Sequence, residues 1–138
     1  MTSKYKIQND EEKRKIEANK IRERYPDRIP VICEKSETPK LPDIDNTKFL
    51  VPNDFTAFHF ICMIRKRIKL PEKDCLYFFV NGKNLLKGDT LIAQIYEKKR
   101  DPDGFLYIIY TEESSFGALK AILEDFKYEE WSIANNRN

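Results

Sequence analysis

The sequence predicts an α+β fold: a four-stranded mixed sheet around one central helix, with accessory helices before it and a helical extension after it. Three observations carry this. "FLYIIYT" at 105–111 is a nearly unbroken apolar run of the kind found in strands buried between others. "NDFTAFHFICMIRKRIKL" at 53–70 places Phe55, Phe58, Cys62 and Ile68 among apolar neighbours at helical intervals, with apolar residues on most faces of a helix. Around that helix the remaining elements fall in the order β, β, α, β, short helix, β, which suits one sheet folded about one helix, as in the ubiquitin-like grasp.

The first helix is expected from about Asp10 to Arg24. Asn9 and Glu12 have capping-box spacing, and Tyr25-Pro26 supplies a stop because the residue before proline leaves the α region. Ile16, Ala18 and Ile21 are thin among its charges, so the helix should rest on the domain surface rather than build a core. "RIPVICEKS" is β-branched and reads as a strand, the proline-bearing "SETPKLPDIDNT" as a loop, and "KFLVP" as a short strand suited to a sheet edge. In the central helix, Asn53 and Asp54 stand at the start and Arg65, Lys66, Arg67 and Lys69 near the end, a charge order that complements the helix dipole. "CLYFFVNGK" is an aromatic strand entering a tight Asn81-Gly82 turn. "TLIAQIYEKK" is a short helix, and "DPDG" turns the chain into the last strand.

Composition excludes several functions. With 25 Lys and Arg against 23 Asp and Glu, the net charge of +2 gives no whole-molecule attraction to nucleic acid or anionic lipid, and no nucleic-acid partner is expected. Cys33, Cys62 and Cys75 fit neither a disulfide framework nor a Cys-x-x-Cys metal site, which points to a reducing, cytoplasmic compartment. His59 and Cys62 share a helix face without an orienting acid, a poor nucleophile site, so a packed helix position is the better reading of both. No phosphate-binding loop or hydrolase motif appears, so neither an enzyme nor a cofactor is expected. The basic run "IRKRIKL" has Ile64, Ile68 and Leu70 woven through it at helical spacing and reads as the solvated end of a helix.

Gly117 separates the strand-like "FLYIIYTEESSF" from the helix-like "ALKAILEDFKYEEW". By residue type alone it is a hinge or a helix start. "KIRERYPDRIPVICEK", "KFLVPNDFT", "FICMIRKRIKL", "YFFVNGK" and "GFLYIIYTEESSFG" together resemble the autophagy ubiquitin-like modifiers, nearer the gamma-aminobutyrate-receptor-associated-protein branch, over about residues 12 to 117.

The resemblance implies three parts: a helical extension at 1–27, a ubiquitin-like domain at 28–117 and a propeptide at 118–138. It also implies that a cysteine protease cuts after Phe116 and Gly117, and that activating and conjugating enzymes join the glycine carboxylate to phosphatidylethanolamine. The product would pass from the cytoplasm to the autophagosome membrane. A glycine suits such a tail because, without a Cβ, it threads narrow active-site channels.

A groove for cargo receptors bearing aromatic-x-x-aliphatic peptides is implied as well, the peptide adding as a strand near Lys48–Pro52. Its aromatic pocket would comprise Glu17, Ile21, Pro30, Lys48, Leu50 and Phe105, and its aliphatic pocket Phe49, Val51, Pro52, Phe55, Phe60, Met63, Ile64 and Arg67. Arg28, Lys48 and Arg67 would attract acidic flanks of the ligand. Tyr77 and Phe79 would engage the processing enzymes.

The chain departs from this pattern in several places. "IQNDEEKR" lacks the usual aromatic before "EKR", Phe58 and His59 replace a smaller polar pair, and Tyr77 stands where phenylalanine is usual. Residues 118–138 form a longer tail than is common, with Leu119, Ile122, Leu123 and Phe126 on one helical face. That stripe also suits an adaptor that stays uncleaved and uses the tail as a structural or protein-binding element.

Overall fold

The computed structural model describes residues 3–37, 41–69 and 76–112. Phe116, Gly117 and the 118–138 tail lie outside the described residues.

Four helices and five strands are present among them: α1 Lys4–Gln8, α2 Glu11–Arg24, β1 Arg28–Lys35, β2 Lys48–Pro52, α3 Ala57–Ile68, β3 Leu76–Val80, β4 Asn84–Leu85, α4 Ile92–Lys99 and β5 Leu106–Glu112. The sheet has the order β2-β1-β5-β3-β4. β5 is central and parallel to β1, while β1–β2, β3–β5 and β3–β4 are antiparallel. The expected four strands become five because the Asn81-Gly82 turn returns two residues to β3. Both turn residues have positive φ, 55° and 69°, as a tight hairpin turn requires.

Side chains alternate across the sheet. Val31 and Cys33 of β1, Phe49 and Val51 of β2, Phe78 and Val80 of β3, and Leu106, Ile108 and Tyr110 of β5 face α3 and α4. There they meet Phe60, Ile64, Ile68, Ile92 and Tyr96 in one apolar core. The continuous apolar run of β5 follows from this position, since Leu106, Ile108 and Tyr110 face this core while Tyr107 is buried on the other face and Ile109 half-buried there.

Two helix starts differ from expectation. The α2 cap is Asp10, whose side chain accepts from Lys13 N at 2.8 Å, rather than Asn9 with Glu12. For α3 the cap is Thr56, not Asn53 or Asp54. Thr56 Oγ1 accepts from the His59 backbone at 3.2 Å, and His59 Nδ1 accepts from Thr56 N at 3.1 Å. His59 is therefore a solvent-exposed half of a reciprocal cap, not a packed helix position.

Sequence periodicity also passes over α1, because five residues are too few to show a period. Ser3 caps it by accepting from Lys6 N.

Candidate functional site

On the side of the sheet away from α3, the face is covered by α1 and α2. Tyr5, Ala18, Ile32, Phe105 and Tyr107 form a second buried cluster there, with Ile21 packed against it. Close approach is possible because Gly104 has φ +97° and no Cβ; one built there would lie 2.8 Å from Ala18 Cβ.

Polar contacts hold these helices down. Asp103 is buried at 2% exposure and accepts from Arg14 Nε at 2.9 Å, from the Phe105 backbone at 2.8 Å and from the Tyr107 hydroxyl. Burial beside this carboxylate holds the Tyr107 hydroxyl well above its ordinary range. Lys6 Nζ bonds Asp101 and stands 4.6 Å from the Tyr107 ring centroid, while Ser3 and the Tyr5 backbone donate to Glu34.

The residues expected to line the aromatic pocket come together where α2 meets β2. Glu17 Oε1 accepts from Lys48 Nζ at 2.7 Å, and Glu17 Oε2 accepts from the Tyr5 hydroxyl. Burial pushes the Glu17 carboxyl up, but the hydrogen bonds from Lys48 and Tyr5 outweigh it, and the net direction is down. Ile21 and Leu50 are half-buried, whereas Pro30 and Phe105 are buried beneath them.

Tyr5 is the residue that sequence reasoning missed. Its ring packs edge-on to Phe105 at 5.3 Å and lies under the Lys48 ammonium at 5.1 Å. An isolated aromatic in a polar N-terminal segment was the available signal.

The aliphatic set divides by depth. Phe49, Val51, Phe60 and Ile64 belong to the core beneath α3. Pro52, Phe55 and Met63 are half-buried, and Arg67 is exposed over the Phe49 ring at 5.3 Å. Leu50 faces opposite to Phe49 and Val51, as strand alternation requires.

β2 pairs only with β1, so among the described residues its outer edge is open to an added strand. Two of the three cations expected to attract acidic ligands already have partners, Lys48 with Glu17 and Arg67 with Asp45 at 3.6 Å. For Arg28 no ion pair occurs among the described residues.

Two open clefts lie away from this edge. One of about 480 Å³ runs between β4 and α4, lined in part by Val80, Leu85, Ile95 and Lys98. Another of about 560 Å³ separates α1 from the β3–β4 turn. Of the residues expected to contact processing enzymes, Tyr77 is half-buried and Phe79 fully buried.

Among the described residues no cluster of His, Cys, Asp or Glu could hold a metal ion. Nor is any described helix long and apolar enough to cross a membrane.

Residues 13–117 match the family described as "Autophagy protein Atg8 ubiquitin like". Autophagy-related protein 8e of Arabidopsis thaliana is 52% identical over 114 residues, covering 83% of this chain and 93% of that one. Autophagy-related protein 8 of Pichia angusta is 47% identical over 124 residues, covering 90% and 98%. The crystal structure of Trypanosoma brucei ATG8 superposes with a TM-score of 0.76 at 42% identity, over 82% of this chain and 97% of that one. The chain belongs to the Atg8 family of autophagy ubiquitin-like proteins.

Proposed function

We propose that this autophagy ubiquitin-like modifier is cut after Gly117 by a cysteine protease and joined through the glycine carboxylate to phosphatidylethanolamine by activating and conjugating enzymes. It then recruits receptors bearing aromatic-x-x-aliphatic peptides to the membrane. In this scheme the chain is a substrate and scaffold rather than a catalyst. It begins in the cytoplasm and becomes bound to the autophagosome membrane through lipid. The single observation that carries this reading is that the family match runs from residue 13 to residue 117 and stops at the glycine.

The groove has physical support in the open edge of β2. A peptide strand laid there satisfies its own backbone, while Leu50 and Ile21 on one side and Phe55 and Met63 on the other offer half-buried apolar surface.

The 118–138 stripe favours a second reading, an adaptor that keeps its tail. Intact mass after incubation in extract of the cells that make the protein separates the two. Loss of residues 118–138 supports processing, and a Gly117→Val chain should then stay at full length and off membranes. If the natural chain also keeps its full mass, the adaptor reading replaces the first.

A further inference from the structure

The C-terminal ends of α2 and α4 meet over one aromatic ring. Tyr96 of α4 is 7% exposed, and its hydroxyl donates to the Gly104 carbonyl at 2.7 Å, which fixes the ring in place. The Arg22 guanidinium of α2 stands 5.2 Å from the ring centroid, and that of Arg100, at the α4 cap, 5.5 Å from it. Arg22 is oriented further, since its Nη1 donates to the Arg28 carbonyl at 2.8 Å. Two like charges are thus gathered on one buried ring, held by the negative potential of its faces.

Among the described residues no acid answers them. Neither arginine forms an ion pair there, and neither do Lys98 and Lys99, the two residues before Arg100. The carboxylate that acts on the Tyr96 hydroxyl is Asp103, and it is already taken by Arg14, Tyr107 and the Phe105 backbone. Helix ends account for part of the charge. Each C-terminus presents about half a negative charge, so the two together offset one of the five cations Arg22, Arg24, Lys98, Lys99 and Arg100. Glu23 and Glu97 offset two more, and Asp27 offsets Arg28. A surplus of about two positive charges remains at this end of the molecule.

We infer that Arg22 and Arg100, set on the Tyr96 ring, clamp the phosphoryl group of a phosphorylated partner protein. A phosphomonoester carries nearly two negative charges at neutral pH and three acceptor oxygens, which match the surplus and the planar guanidinium forks. The two guanidinium carbons lie no more than about 11 Å apart, each being close to the same centroid. A phosphate gripped by two forks spaces them at roughly 8 Å, and exposed Arg100 can swing through that difference. An anionic lipid surface is the poorer fit, because it needs only diffuse charge and gains nothing from guanidiniums fixed on a ring.

The clamp is separate from the peptide groove. The Arg28 side chain reaches toward β2, its Nη1 standing 3.5 Å from the Leu50 carbonyl, whereas Arg22 and Arg100 lie on the α4 side. Phosphate capture here does not depend on processing at Gly117.

Side-chain NMR of the arginine Nε–H groups tests the clamp. Inorganic phosphate, the tripeptide acetyl-Gly-phosphoserine-Gly amide and its unphosphorylated twin are each added to the full chain at constant ionic strength. Phosphate and the phosphopeptide should move the Arg22 and Arg100 signals along saturable curves, while the twin leaves them in place. Arg28 and Arg67 should stay still. In Arg100→Gln the phosphopeptide affinity should fall about fivefold, the upper range for an exposed charge pair. Arg100→Lys should restore only part of it, because the ammonium keeps the charge but loses the fork.

Shifts that never saturate, or that are largest at Arg28 or Arg67, overturn the clamp. So does unchanged affinity in Arg100→Gln, or full recovery in Arg100→Lys, which would leave diffuse charge as the cause. Flotation with vesicles of equal parts phosphatidylcholine and phosphatidylserine, without any response to the phosphopeptide, would assign the basic end to a lipid surface instead. The natural chain decides between phosphate capture and its absence even if a variant loses its fold.

Discussion

The two faces of the sheet are held by different physics. Against α3 the contacts are almost wholly apolar: Phe60 meets Phe49 and Phe78 edge-on at 6.2 and 6.4 Å, in a cluster of aliphatic and aromatic side chains with the Cys33 thiol among them. Against α1 and α2 the apolar cluster is small, and a buried carboxylate, a guanidinium and two tyrosine hydroxyls share the work. Apolar burial is insensitive to pH and scales with area, whereas a buried ion pair is costly to break at one partner and responds to acid. The first face should therefore set global stability, and the second should set whether the N-terminal helices stay seated beside the groove.

The largest test of that contrast is Phe60→Ala. Truncating a fully buried ring in the α3 core should cost about 4 kcal/mol and lower the denaturation midpoint of the whole domain. A loss below about 1 kcal/mol would show that this face does not dominate. Asp103→Ala comes next, because it strands Arg14 and the Tyr107 hydroxyl in a buried site. The cost should be about 3 kcal/mol. Amide exchange should rise first in α1 and α2, with α3 still protected. Equal loss of protection in α3 would mean that the two faces are a single cooperative unit.

Much of the α3 face was legible in the sequence, and little of the other. The helical spacing of Phe55, Phe58, Cys62 and Ile68 marks α3, although Phe58 proves 60% exposed and Phe60 and Ile64 fill the core; "LYIIY" is a buried-strand run and Asn81-Gly82 a hairpin turn, so each element announces itself within a few residues. By contrast Arg14 and Asp103 meet across 89 positions, as do Lys6 and Asp101 across 95, and neither partner carries a local sign of the other. α1 and β4 are shorter than one reliable period, and His59 drew attention as a chemical residue although its ring serves a helix cap. The groove shows the same division: Leu50 could be placed opposite to Phe49 and Val51 by alternation, but the Tyr5 ring over Phe105 depends on a tertiary contact.

Acid should sharpen the comparison with a smaller effect. Asp101 and Glu17 both have folded carboxyl affinities shifted down: burial opposes the shift, and hydrogen bonds from Lys6 and the Asp103 backbone at the first, and from Lys48 and Tyr5 at the second, overcome it. A lowered carboxyl contributes stability that is present above its unfolded value and is lost as pH falls through the folded one. Seating of α1 and α2 should thus weaken below about pH 4, within the ordinary carboxylate range, while the α3 core persists. Glu17→Gln isolates one partner. The amide keeps an acceptor for the Tyr5 hydroxyl and removes the charge facing Lys48, whose side chain is 51% exposed, so the stability change should stay under about 1 kcal/mol at physiological salt. Its acid profile should be flatter than that of the natural chain, read as the pH dependence of α2 amide exchange. An unchanged profile would assign the acid response to Asp101 and its Lys6 partner, placing the pH-sensitive tie at α1 rather than at the rim of the groove.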